Sequence, residues 1–356
     1  MTKFKGVDAV ELWFGGYHAF VMPTLGSNVM RFRDEDKGME IFRYSDDMTI
    51  AEFMQSPEIW GLPTLYLPNR HDRGVLRTSD NVYYLPENET RFKNHLHGFL
   101  HKRAHKVKEM GADENHAFVT TTYKYDESDY FFNCFPVKFT AEITIDLSAK
   151  GLTHTITLKN CSKVMMPISI ATHTTINAPF VDGAKQEDIT LQVPAVKKLQ
   201  FNKKRWLPNG RQLALTDYDL EYVNGTKCPV LTDICNDMYT AGTIKLDGED
   251  FYGCVMTDKA SGKRLCYEVD DEYKFWIVWN HEGFKGYFCP EPMTAQVNAA
   301  NLDLPFEKTG YFELEPKESY TVSQRFFTKY ILQKFSPQVC LGLAANCFGI
   351  YKKPVP

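Results

Sequence analysis

The sequence predicts an all-β protein, a large antiparallel β-sandwich with a few short helices. Three observations favour this class: apolar and polar residues alternate in several short segments, turn residues separate those segments, and long stretches of helical period are scarce. A doubly wound parallel sheet needs helices between its strands, so that class is disfavoured. We therefore expect many short antiparallel strands, each with one buried face and one solvated face.

The clearest strand signal lies in residues 139–147, where odd positions are apolar and even positions are polar. Turn residues at 148–151 and a β-rich return segment at 152–158 follow, so this region predicts a β-hairpin. Other strands are expected at residues 16–21, 117–125, 166–171, 265–269, 275–279 and 320–327, with turns at 208–210 and 247–248 between the later ones.

Helical signals are few. Ser45, Asp46 and Asp47 suit a helix N-terminus and predict a short helix over residues 48–55. A second helical piece is expected in residues 329–346, broken at Pro337. Because no linker, low-complexity tract or fixed-period repeat divides the chain, we expect one sandwich domain over residues 1–328, with a C-terminal extension at residues 329–356 packed on the same domain.

Composition restricts the class of function. The 356 residues carry 41 Lys and Arg against 45 Asp and Glu, so no basic excess favours a nucleic-acid partner. The first residues lack an apolar core of signal-peptide length, and the apolar stretch at 339–350 is too short to cross a bilayer. We expect a cytoplasmic protein without membrane association, a monomer or homodimer. Its nine cysteines, with no CxxC pair, predict reduced and mostly buried thiols.

Two polar segments in the first third of the chain are candidates for ligand binding. Arg70 ends an apolar stretch, and its guanidinium could clamp hydroxyls or an anion; the alternative is a surface arginine beside a proline turn. His97 precedes Gly98, which permits close approach to a pocket wall. A metal site formed by His95, His97 and His101 is the alternative, but no further ligand occurs at an established zinc spacing, so no metal is expected.

Three later segments hold groups suited to proton transfer or to hydroxyl binding. His173 follows an apolar strand, where an imidazole can face a cleft and transfer protons near neutral pH. Glu291 lies between two prolines in an apolar segment, and burial there would raise the pKa of its carboxyl and make it a better base. Asp233 and Asp237 could hold a hydroxyl or cap a turn. Structural roles stay open for all four residues on these patterns alone.

The order of these segments resembles the aldose 1-epimerase (galactose mutarotase) superfamily over roughly residues 10–328. In that family an Asn-Arg precedes a Tyr-x-Leu-Pro-x-Asn stretch and a His-Gly, a His…Asn segment follows a mid-chain strand, and a Glu-Pro comes near the end. The matching segments here are Asn69-Arg70, residues 83–88, His97-Gly98, His173 with Asn177, Asp237, and Glu291-Pro292.

The resemblance implies a sandwich with a sugar-binding groove, and an isomerase that interconverts the α and β anomers of an aldose. It implies that Glu291 is the general base for the C1 hydroxyl and His173 the general acid for the ring oxygen, with no cofactor. Arg70, His97 and Asp237 match positions that bind sugar hydroxyls, with Asp233 as the alternative to Asp237. Aromatic side chains such as Phe180 or Trp279 could stack on the sugar.

Two departures from the family pattern concern the pocket wall. The family motif His-Pro-Tyr-Phe-Asn reads His-Thr-Thr-Ile-Asn at residues 173–177, and Phe99 follows Gly98 where galactose-type enzymes have a second glycine. The substrate is therefore open between a free hexose and a sugar phosphate. The cations available for a phosphate are Arg73, Arg77, Arg91 and Lys93. The main alternative to an isomerase is a non-catalytic carbohydrate-binding or sugar-sensing protein on the same fold.

Overall fold

A computed structural model describes residues 1–331, which contain 29 β-strands and three short α-helices. In chain order the strands are β1 (Thr2–Phe4), β2 (Val7–Phe14), β3 (Tyr17–Met22), β4 (Asn28–Asp34), β5 (Met39–Glu40), β6 (Thr64–Leu65), β7 (Arg70–Asp72), β8 (Val75–Arg77), β9 (Val82–Tyr84), β10 (Asn94–Leu96), β11 (Lys106–Ala112), β12 (His116–Tyr125), β13 (Phe139–Ser148), β14 (Gly151–Asn160), β15 (Met166–Ile168), β16 (Ala171–Thr172), β17 (Ile176–Asn177), β18 (Ile189–Gln192), β19 (Ala195–Asn202), β20 (Leu207–Leu213), β21 (Asp237–Ala241), β22 (Ile244–Leu246), β23 (Glu249–Phe251), β24 (Gly253–Asp258), β25 (Lys263–Val269), β26 (Phe275–Trp279), β27 (Tyr287–Met293), β28 (Phe312–Leu314) and β29 (Ser319–Tyr330).

Helices are short and few. The α-helices are α1 (Ile50–Gln55), α2 (Asp217–Val223) and α3 (Phe306–Thr309), and the single-turn 3-10 helices are Pro57–Ile59, Leu100–Lys102, Tyr130–Asn133, Gln186–Asp188 and Ala299–Asn301. About 48% of the residues lie in strands and 10% in helices, which confirms the all-β class. Within the described part of the chain, no helix has the length and apolar character needed to cross a membrane.

The large sheet, which contains the longest strands, is antiparallel with the order β11-β12-β13-β14-β29-β25-β24-β18. The predicted hairpin is at its centre, with β13 and β14 paired from Phe139↔Asn160 to Ser148↔Gly151. Strand β13 alternates strictly between buried and half-buried positions, because its apolar side chains all point to one face of the pleat. That alternation confirms the hairpin and the buried face expected from the sequence.

A second sheet runs in the order β20-β19-β21-β26-β27-β16-β6, with β17 also paired to β27. Its strand β26 is buried on both faces. Trp276 and Val278 join the main core shared with the large sheet, while Phe275 and Ile277 belong to a smaller cluster on the opposite face. The second sheet therefore packs on the main core with one face and buries a smaller apolar cluster on the other.

The first five strands form a third sheet, β1-β2-β3-β4-β5. Its side chains Leu12, Ala19 and Phe32 enter the same main core as Ile143 of β13 and Phe326 of β29. The three sheets therefore bury one continuous core, and this part of the molecule has the sandwich architecture that the alternating segments predict.

Local details correct three sequence-based boundaries. Helix α1 begins at Ile50 and is capped by Thr49, whose side chain and that of Glu52 form a reciprocal capping box, so residues 45–47 do not cap it. The predicted turn at residues 208–210 lies inside β20, where the register jumps and the extra residues bulge out around Gly210 at φ +80°. The expected strand 166–171 is divided into β15 and β16.

Two further expectations concern the cysteines and the chain end. The seven cysteines in residues 1–331 are free, and only Cys254, Cys266 and Cys289 are buried, so among the described cysteines the buried thiols are a minority, contrary to expectation. Cys340 and Cys347 lie outside the described residues. Strand β29 runs through Tyr330, two residues past the domain boundary predicted at 328. The rest of the predicted extension and of its helical piece lies outside the described residues.

Candidate active site

A cavity of about 160 Å³ lies where the second sheet meets the short β7–β10 ladder. Loop ends and strand ends supply its walls, as is common for sites positioned by a rigid scaffold. The residues that line it are Glu58, Ile59, Asn69, Arg70, Leu96, His97, His173, Asn236, Trp279 and Glu291. Four of the five predicted site residues are among them; Asp237 is not.

Strand pairing brings His173 and Glu291 together across 118 positions of sequence. Strand β16 pairs antiparallel with β27 at Ala171↔Met293, so residues 173 and 291, each two positions further along, face each other. The Nε2 atom of His173 lies 3.3 Å from Oε1 of Glu291, and both side chains are buried. The two groups can therefore exchange a proton with one bound molecule.

Burial opposes charge on both members of this pair. It lowers the pKa of His173 to about 4 and raises the pKa of Glu291 well above its usual range, although the charge of Arg70 acts in the opposite direction on Glu291. The pKa of His97 is also well below its ordinary value, chiefly through burial and secondarily through neighbouring His173. In the pH range between these two pKa values the His173–Glu291 pair holds one proton, and His97 is uncharged at neutral pH.

Arg70 is held by a carboxylate that the sequence analysis did not single out. Its Nε and Nη2 atoms donate to Oε1 of Glu89 at 2.9 and 2.7 Å, a two-pronged contact between mostly buried side chains. Asn94 donates to the other oxygen of Glu89 at 3.0 Å. Only Nη1 of Arg70 is turned to other partners, the side-chain oxygens of Asn69 and Asn236, both at 3.4 Å. The guanidinium is thus fixed in orientation and largely neutralised.

His97 enters the wall through a pair of left-handed residues. Its φ is +65° and that of Gly98 is +59°, directly after strand β10. A side chain at Gly98 would overlap the backbone of Tyr66 and Leu67. The backbone at Gly98 therefore makes the close approach that the His-Gly pair predicts. The backbone N–H of His97 donates to Asn69 at 2.8 Å, and its ring centroid lies 5.2 Å from that of His173.

Asp237 is turned away from the cavity, and its neighbour takes the wall position. Its carboxylate accepts a hydrogen bond from the Tyr218 hydroxyl at 2.7 Å and lies 3.2 Å from Nζ of Lys198. Asn236 has φ +58°, and this left-handed residue just before β21 directs its own side chain to the cavity. Asp233, the other candidate, is exposed and does not line the cavity.

The remaining sequence candidates also divide into residues that line the cavity and residues that do not. Trp279 lines the cavity with its ring edge-on to His173 at 5.6 Å, whereas Phe180 is part of the main core. The four cations considered for a phosphate, Arg73, Arg77, Arg91 and Lys93, are exposed and outside the lining. Glu58, Glu89 and Asn236 had no motif signal of their own; only the long-range contacts identify them.

Two residues of the wall, together with the buried Cys289 outside the lining, also form a group of possible metal ligands. Within residues 1–331, His173, Cys289 and Glu291 have one ligand atom each within 4.8 Å of one another. Nitrogen, sulfur and oxygen donors of this kind suit Zn²⁺. The alternative set of His95, His97 and His101 is not brought together as such a group in this part of the chain, and Nδ1 of His95 lies 2.7 Å from the carbonyl of Pro86.

Comparison with known proteins agrees with this architecture. The family model for aldose 1-epimerase matches residues 8–326. A galactose mutarotase-like protein from Clostridium acetobutylicum is 29% identical and superposes with a TM-score of 0.88, over 91% of this chain and 95% of that one. A putative aldose 1-epimerase from Escherichia coli K12 has the same fold at 14% identity, with a TM-score of 0.69 over 91% and 99% of the two chains.

Among curated proteins, the chromosomally encoded protein LacX of Lactococcus lactis subsp. lactis is 24% identical over 273 residues, which is 76% of this chain and 82% of LacX. The family model covers most of the three sheets and every described residue that lines the cavity. The chain therefore belongs to the aldose 1-epimerase family.

Proposed function

We propose that this chain is an active aldose 1-epimerase, which interconverts the α and β anomers of a hexose or a related sugar. The observation that carries the proposal is the buried contact between Nε2 of His173 and Oε1 of Glu291, 3.3 Å apart in a cavity wall. The C1 hydroxyl and the ring oxygen of a cyclic aldose are bonded to the same carbon. Two adjacent proton carriers are therefore what ring opening requires.

The proposed reaction starts from the form in which the single proton of the pair lies on His173 and Glu291 is a carboxylate. Glu291 takes the proton of the C1 hydroxyl as the C1–O bond becomes a carbonyl and the bond from C1 to the ring oxygen breaks. His173 gives its proton to that oxygen, so the open-chain aldehyde forms without net proton exchange with water. Rotation about C1–C2 exposes the other carbonyl face, and the reverse transfers close the ring. General acid–base catalysis of this type contributes about 10²–10⁴-fold.

The remaining wall residues suit the binding of a polyhydroxylated ligand. Nη1 of Arg70 and the side chains of Asn69 and Asn236 offer donors and acceptors on one side, and His97 offers a ring nitrogen on another. Trp279 supplies an aromatic surface for the apolar face of a sugar ring. Kinship with the aldose 1-epimerase family supports the same assignment.

The test is anomer interconversion of freshly dissolved α-glucose and α-galactose, followed by polarimetry or by NMR exchange. We expect the wild type to accelerate the reaction over buffer, and Glu291→Gln or His173→Asn to lose about 10²-fold or more. Matched controls are Glu249→Gln, an exposed carboxylate, and His116→Asn, a histidine that lies outside the cavity wall; both should keep wild-type rates. No acceleration, with saturable sugar binding that survives Glu291→Gln, would instead identify a carbohydrate-binding protein.

A further inference from the structure

The cavity wall is poor in positive charge. Among the described residues that line it, Arg70 is the one Lys or Arg, and Glu89 neutralises that guanidinium through a two-pronged contact. His97 and His173 are uncharged near neutral pH because burial lowers the pKa of each. An anionic group in this cavity would therefore have to share a guanidinium that is already paired.

The same wall carries a carboxylate that the acid–base pair does not use. Glu58 lies in the Pro57–Ile59 turn, and its Oε2 atom is buried without a hydrogen-bond partner among the described residues. Burying a carboxylate oxygen without a donor is costly unless a ligand supplies one. The hydroxyls of a sugar are such donors.

The turn that holds Glu58 is fixed from behind. The guanidinium of Arg43 lies between the rings of Trp60 and Tyr287, 3.7 and 3.9 Å from their centroids. Its Nη1 atom donates to the carbonyl of Ile59 at 3.0 Å. Arg43 thus pins the residue next to Glu58 and is not itself part of the cavity lining. The Glu58 carboxylate accordingly faces the cavity from a preorganised turn.

We propose that Glu58 accepts hydrogen bonds from hydroxyls of an uncharged sugar and makes the site reject anionic sugars such as hexose 6-phosphates and uronates. This inference rests on the proposed function for its substrate class. The Glu58 carboxylate lines the same cavity as Glu291 and repels a phosphate or carboxylate substituent, whereas a hydroxyl satisfies the lone pair of Oε2. The four exposed cations Arg73, Arg77, Arg91 and Lys93 do not line the cavity, so none of them is placed to bind such a substituent directly.

The test compares kcat/KM for glucose, galactose, glucose 6-phosphate and glucuronate in the wild type, Glu58→Gln and the exposed control Glu87→Gln. We expect the wild type to prefer the neutral sugars by about 100-fold or more. Glu58→Gln should raise KM for neutral sugars about 10- to 100-fold and reduce the preference over anionic sugars by a similar factor. Glu87→Gln should behave as the wild type.

Binding measurements separate this inference from the epimerase proposal. Calorimetric titration of the same sugars into Glu291→Gln and into the double variant Glu291→Gln with Glu58→Gln measures binding selectivity without turnover. Neutral-sugar binding that depends on Glu58 supports the inference even if no sugar is epimerised. The inference is wrong if the chain with Glu58 intact binds glucose 6-phosphate as tightly as glucose or more tightly. It is also wrong if Glu58→Gln leaves the selectivity unchanged.

Discussion

At the scale of single residues, the site is defined by two adjacent buried side chains that can each carry a proton. His173 and Glu291 are both buried, and each pKa is shifted toward the uncharged form. The guanidinium of Arg70 is held in a fixed orientation by its hydrogen bonds to Glu89. The wall therefore places two groups that can carry a proton beside a guanidinium of fixed orientation, which is the arrangement that the proposed acid–base reaction needs.

The pKa shifts predict a bell-shaped dependence of kcat/KM on pH. Below pH about 4, His173 also takes up a proton, so both members of the pair are protonated and no base remains to accept the C1 proton. As pH rises through the elevated pKa of Glu291, the pair loses its only proton and no acid remains. NMR exchange rates, corrected for buffer catalysis at each pH, measure this profile. A flat profile between pH 3 and 10 would contradict the shared-proton description.

At the scale of structural elements, sheet register places the catalytic candidates. Strand β16 is joined to β27 at one pair, and buried hydroxyls tie it to the large sheet behind. Thr172 and Thr174 contact the hydroxyl of Tyr267 at 2.9 and 2.8 Å, and Thr172 donates to Gln324 at 3.0 Å. The threonine at position 174, where the family motif has proline, thus helps to hold the segment that carries His173.

A substitution at Gly98 tests the turn that presents His97. Gly98→Ala combines an unfavourable positive φ with overlap of the Tyr66 backbone, so we expect a loss of about 2–4 kcal/mol in the free energy of unfolding and a fall in activity. Gly183→Ala is the matched control, because Gly183 also has a positive φ but open space around it, and should cost about 1 kcal/mol. Urea denaturation measures both; equal losses would refute the role of close packing.

At the scale of the whole molecule, three sheets share one hydrophobic core. Phe32 of the N-terminal sheet contacts Phe42 at a ring-centroid distance of 5.7 Å, and Phe42 lies edge-on to Phe326 of the large sheet at 5.1 Å. All three rings are fully buried. The first strands are therefore a layer of the same sandwich rather than a separate folding unit.

This continuity predicts one cooperative unfolding transition for the folded chain. Phe32→Ala and Phe326→Ala should each shift that same transition to a lower midpoint. Each should reduce the free energy of unfolding by about 3–5 kcal/mol. The exposed Phe284→Ala should change it by less than about 0.5 kcal/mol. Tryptophan fluorescence and far-UV circular dichroism should give coincident denaturation curves. Separate transitions, with Phe32→Ala affecting only one, would show two independent units.

Local patterns were enough to predict the order of the motifs and several of the longer strands, among them β12, β13, β14 and β29. Alternation in residues 139–147 specifies which face is buried because side chains of a strand point to opposite sides, whatever lies around them. The flanking motifs likewise identified Arg70, His97, His173 and Glu291 before their positions were known. These signals are contained in a few adjacent residues.

The tertiary structure decided which other groups meet at the cavity. The left-handed conformation of Asn236 turns that residue, and not Asp237, toward the wall. Glu89 neutralises Arg70, and Glu58 reaches the cavity from a turn pinned by Arg43. These contacts depend on sheet register and loop closure between distant segments. No periodicity or short motif encodes them, since the free energy that selects them comes from packing the whole core.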